Sequence, residues 1–147
     1  MSILRDEYGA ALAGIHAHGL ELIERYQDLI DQEVVSAPTE SLLRRAIEAR
    51  TAMLGRVEAM ERARGELPQA GNQERALLKA ISDWVQSRVN SEATLVQRLM
   101  EAEAQWRSEV NEAADLDWSD DEQDVLSQLV IHSDRFVEEL RFLQSSL

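Results

Sequence analysis

The chain contains no cysteine, only two prolines and six glycines, and aromatic residues make up 5% of it. Without cysteine there are no disulfides, no thiolate nucleophile and no zinc–sulfur site, an absence that suits a reducing compartment. Both prolines fall in loop-like stretches, "VSAPTES" (35–41) and "RGELPQAGN" (64–72), so they break the chain at few points. A third cluster of turn residues is "ADLDWSDDE" (114–122). Long hydrophobic runs are also missing. The opening "MSILRDEYG" carries charges where a secretion signal needs an apolar stretch, and no segment approaches membrane-spanning length. A soluble, cytoplasmic protein is expected. Positive charge is scarce: 15 Lys and Arg stand against 28 Asp and Glu, a net charge of −13. Such a surface repels phosphate backbones and anionic lipid, so neither nucleic acid nor a membrane is expected as a partner. Lys79 is the one lysine, and nothing structural explains that bias.

What is present reads as helix. With 147 residues and 44% apolar content, the chain is one domain long enough to bury a core. Between the turn clusters good helix formers dominate, and apolar residues recur at three and four without strand-like alternation. One helix is predicted over about 3–34, with a stripe of Tyr8, Leu12, Ile15, Leu22, Tyr26 and Leu29. A second covers about 40–64, with Leu43, Ile47, Leu54 and Val57. The last covers about 120–145 and opens with a capping box, Ser119 followed three residues later by Glu122. Gly9, Gly14 and Gly19 each cost the first helix roughly 1 kcal/mol. Close packing against a neighbour, or a mobile N-terminal arm over residues 1–19, would each account for them.

The stretch 73–114 decides the topology. As one helix it would be about 63 Å long against about 38–48 Å for its neighbours, and it would overhang. Its apolar stripe lapses across "SRVNSEAT" (87–94), where Asn90 and Ser91 are suited to an N-cap. The spacing therefore predicts a crossover helix at about 73–88 and a separate bundle helix at about 91–114. The second and third bundle helices then run in the same direction. The loop 65–72 and the crossover helix can span roughly 40 Å, enough to return along the bundle. The expected fold is all-α: a single ferritin-like four-helix bundle with a helical crossover between its second and third bundle helices.

The loop residues and helix rhythm add a resemblance. From Tyr26, "APTESLLRRAIEARTAMLGRVEAMERARGELPQAG", then Trp84, "LVQRLMEAEAQW" and "LSQLVIHSDRFVEELR" follow in order. This order resembles an uncharacterised bacterial family of ferritin-like domains, of the ferritin and rubrerythrin type, over most of residues 20–143. The resemblance implies a fold and no activity. Residues 20–66, "LIERYQDLIDQE" through "MERAR", are also similar to flagellar export chaperones of type III-like secretion systems. That similarity implies an acidic helical adaptor holding a partner helix in a groove.

Di-iron sites in ferritin-like bundles take a carboxylate from each of two helices and a Glu-x-x-His pair from each of the others. Here Glu48 is followed by Thr51, and Gln128 by Ile131 with His132 out of register, so both pairs are missing. The polar residues at mid-height are His18, Arg50, Glu101, Glu103 and His132. They allow two readings. A residual metal site would use His18, Glu103 and His132, as in a degenerate di-metal carboxylate protein. A polar mid-bundle layer would pair Arg50 with a carboxylate such as Glu103. The guanidinium favours the second, since its fixed charge replaces a cation and would repel one. His16 and His18 stand two apart and point in different directions on a helix, and His16 is expected to face solvent. "DLDWSDDEQDVL" starts like a calcium loop but has Asp120 where glycine is needed and Leu126 where glutamate is needed. No nucleophile constellation and no phosphate-binding glycine loop appears. The expectation is a non-enzymatic bundle, without cofactor or metal, acting as a binding or structural module. Trp84, Trp106 and Trp118 leave room for a homodimer face or a protein partner.

Overall fold

The computed structural model describes residues 6–65 and 91–147. Four helices carry this part of the chain: α1 (Glu7–Asp31), α2 (Ala37–Ala63), α3 (Glu92–Ala114) and α4 (Asp120–Gln144). No strand occurs among the described residues. The expected crossover helix at 73–88, Trp84 and the break at Asn90 lie outside them.

Local chemistry sets the helix boundaries. Asp6 caps α1 by accepting the Gly9 amide at 2.7 Å. The helix stops at Asp31, short of the expected 34, because Glu33 takes a left-handed φ of 54° and turns the chain. The start of α2 is Ala37, earlier than the expected 40. Pro38 sits in its first turn, where a missing N–H breaks no helical bond. Ser91 caps α3 through the Thr94 amide. Ser119 and Glu122 form both halves of the capping box that opens α4.

Polar ties at the two ends fix the helix directions. The Ser36 amide, Ser36 Oγ and Thr39 Oγ1 all donate to Glu92, at 2.6, 2.7 and 2.8 Å. At the same end Gln144 Nε2 donates to the Ala93 carbonyl. At the opposite end Arg64 makes a two-pronged contact with Glu122, both distances 2.9 Å. So α2 and α3 begin at one end, where α1 and α4 finish. α1 packs on α2 and α3, and α4 packs on the same two helices, so every neighbouring pair is antiparallel.

The stripe residues meet on the bundle axis. Leu12, Ile15, Leu22, Tyr26, Leu43, Val57, Leu99, Leu129 and Leu140 are all fully buried, as are Val96, Trp106 and Val110. Each large side chain contributes about 1.5–3 kcal/mol on burial. Close approach explains two of the glycines. A Cβ on Gly19 would lie 3.0 Å from both Leu54 methyls and 3.3 Å from Trp106, and one on Gly14 would lie 2.7 Å from a Glu109 oxygen. Residues 7–19 thus belong to the packed helix rather than to a separate arm. Trp106 donates to the Ile15 carbonyl and Trp118 to that of Ala113. Both rings are core, so neither forms the face for a second copy. Among the described residues, no helix is long and apolar enough to cross a membrane.

Candidate functional site: a buried arginine–glutamate node

Mid-bundle, the apolar core is interrupted by an ion pair. Arg50 on α2 and Glu103 on α3 lie on diagonally opposed helices, and both side chains are 0% exposed. Arg50 Nη1 donates to Glu103 Oε2 at 2.6 Å and Nη2 to Oε1 at 2.5 Å. The other two helices complete the carboxylate's shell. Tyr26 on α1 donates to Oε2 at 2.5 Å, and Ser133 on α4 donates to Oε1 at 3.0 Å. A carboxylate has about four lone-pair sites, and here each oxygen accepts twice. The third guanidinium nitrogen, Arg50 Nε, donates to His132 Nε2 at 3.1 Å. Because the guanidinium can only donate, His132 is neutral with its proton on Nδ1. Aromatic rings enclose the cation: Arg50 Cζ is 4.3 Å from the Trp106 ring centre, 5.8 Å from Tyr26 and 6.0 Å from Phe136.

The electrostatics follow from this shell. Burial pulls the Glu103 carboxyl upward, but the Arg50 charge and its hydrogen bonds outweigh burial and hold the group below the usual carboxylate range. Burial likewise opposes the charge on Arg50, and Glu103 more than offsets it, raising the guanidinium further. Tyr26 is driven well above an ordinary phenol, first by burial and then by the neighbouring carboxylate. Burial and the Arg50 charge bring His132 down to about 4. At neutral pH the node is therefore one fixed cation, one fixed anion, a neutral imidazole and an un-ionised phenol. None of these four groups exchanges a proton near neutrality.

No family model, curated protein or solved structure matches this chain.

Of the five polar residues picked out in the sequence, the structure brings Arg50, Glu103 and His132 together and leaves two elsewhere. His18 Nδ1 meets Glu109 at 2.7 Å at the bundle margin. It lies eight residues from Tyr26, about 12 Å along α1. Glu101 is exposed, because it stands two residues from the buried Glu103 and so on another face of α3. His16, expected in solvent, is buried and meets buried Glu61 on α2 at 2.6 Å. The reason is the width of the buried arc on α1, which takes in positions 12, 15, 16 and 19 together. The two histidines therefore address different helices and share no ligand. Among the described residues, no group of three or more His, Asp or Glu is arranged to hold a metal ion. Tyr26 and Ser133 were missed as partners of Glu103. A faint signal existed for each: a buried tyrosine hydroxyl needs an acceptor, and Ser133 interrupts the stripe between Leu129 and Leu140.

Proposed function

We propose that the chain is a ferritin-like bundle in which an internal Arg50–Glu103 pair takes the place of a metal centre, and that it serves as a non-catalytic binding or structural module. The observation that carries this reading is the saturation of Glu103. Its two oxygens accept from Arg50 twice, Tyr26 and Ser133, while the Nε2 lone pair of His132 is engaged by Arg50. A metal needs anionic oxygens and imidazole lone pairs that are free to bind it, and a guanidinium among them repels it. The helix directions support the ferritin-like part. α2 and α3 start at the same end of the bundle, the parallel arrangement of second and third helices that a ferritin-like topology requires. The pKa directions support the non-catalytic part, since none of the node's groups is poised near neutrality.

Metal analysis of untagged protein from its native host tests this reading. Iron, manganese and zinc are each expected well below one equivalent, with no absorbance change on anaerobic iron loading. A stoichiometric ion lost on Glu103→Gln would overturn it.

A further inference from the structure

The outer face of α2 and α4 carries features the buried node does not explain. Phe142 is 78% exposed and Ile131 44% exposed, and both lie on α4. Beside them runs a groove between the two helices, with one cavity of about 270 Å³ next to His132 and a second of about 580 Å³ reaching Phe142. Leu42 and Arg45 line both cavities. The charges here are balanced, Arg45 and Arg135 against Glu138 and Glu139, on a chain whose net charge is −13. Arg45 pairs with Glu139 at 3.3 Å. Arg135 and Glu138 form no ion pair among the described residues.

We propose that this face is the contact surface of a homodimer, with α4 packed antiparallel on α4 of a second copy. The register follows from spacing. At about 100° per residue, Ile131, Arg135, Glu138 and Phe142 fall within about 60° of arc, one outward stripe. Ile131 precedes Arg135 by four residues, and Phe142 follows Glu138 by four. A two-fold axis crossing α4 between residues 136 and 137 therefore sets Arg135 on Glu138 of the second copy. The same axis sets Ile131 on Phe142 of the second copy. Both pairs form twice, as an isologous contact requires. The exposed phenyl also gains the groove beside Leu42 as a receptacle. In this register residues 129–144 of the two copies of α4 overlap, about 24 Å of helix, and two helices side by side are about 20 Å wide. The resulting face is about 500 Å² per partner, the size of a weak, concentration-dependent association rather than the roughly 800 Å² of a standard interface. The balanced charges matter because elsewhere two copies of an acidic chain repel each other.

Sedimentation velocity on the full chain from about 1 to about 100 µM, the range relevant to an interface of this size, tests it. The wild type is expected to dimerise. Phe142→Glu and Ile131→Glu should be monomeric while keeping the wild-type helical circular dichroism. Arg135→Glu and Glu138→Arg should each weaken association by about tenfold or more. The double variant Arg135→Glu/Glu138→Arg, which restores opposite charges across the axis, should recover it. A wild-type monomer throughout that range overturns the proposal. So does a dimer indifferent to Phe142→Glu and Ile131→Glu, or a double variant no tighter than its parents.

Discussion

Arg50 is the residue on which the interior depends. It neutralises Glu103, fixes the tautomer of His132 and fills the space between Trp106, Tyr26 and Phe136. A buried ion pair repays its desolvation only when both partners are present, and removing one leaves the other charge stranded. Arg50→Met is therefore expected to lower the unfolding free energy by about 3–5 kcal/mol, read from urea denaturation. Arg50→Met/Glu103→Leu should lose clearly less, because no unpaired charge remains. If the double variant is as unstable as the single one, packing rather than charge is what Arg50 contributes.

At the scale of the element, the helices are specified by their ends as well as their stripes. α4 has the fullest start: Ser119 accepts the Glu122 amide, Glu122 accepts the Ser119 amide, and Asp120 and Asp121 add negative charge at the positive end of the helix dipole. Glu122 also receives Arg64, whose guanidinium lies 4.7 Å from the Tyr8 ring and 5.0 Å from Trp118. That end of the bundle is closed by a cap, an ion pair and two rings set edge to face at 4.9 Å. Ser119→Ala should cost about 1 kcal/mol, whereas Ser119→Asp, which keeps an acceptor, should be nearly neutral. Equal losses in thermal melts of the two variants would mean that the hydroxyl is not acting as a cap.

For the molecule as a whole, stability should depend on pH through His132. Its ordinary pKa of 6.5 falls to about 4 in the fold, so between those values the unfolded chain binds a proton that the folded chain refuses. Stability is then full above pH 6.5 and declines as pH falls toward 4, by about 2 kcal/mol once partial solvent access is allowed for. Glu103, held below its ordinary value of 4.5, adds a further loss at the acid end of that window and beyond it. The charged groups around the imidazole are Arg50 and Glu103 within the bundle and Arg45, Arg135 and Glu139 along the groove. Denaturation midpoints at pH 7.5 and pH 5 measure the slope. His132→Gln, which keeps an acceptor for Arg50 Nε, should flatten it, and an unchanged slope would assign the effect to another group.

Periodicity and turn chemistry alone determine the four long helices among the described residues, most of their buried stripes and the Ser119 capping box, because both act within a few residues along the chain. Arg50 and Glu103 stood out for the same local reason, as polar residues within apolar stripes. His16, His18 and Glu101 could not be placed that way. Whether a side chain at the margin of a stripe is buried depends on how wide an arc its neighbours cover, and that is set by the angle and closeness of packing. Tyr26 and Ser133 join Glu103 only because four helices converge at one level, 77 and 30 residues apart in the chain. Which lone pairs are filled, and so whether a carboxylate is free to hold an ion, is decided by that convergence in space.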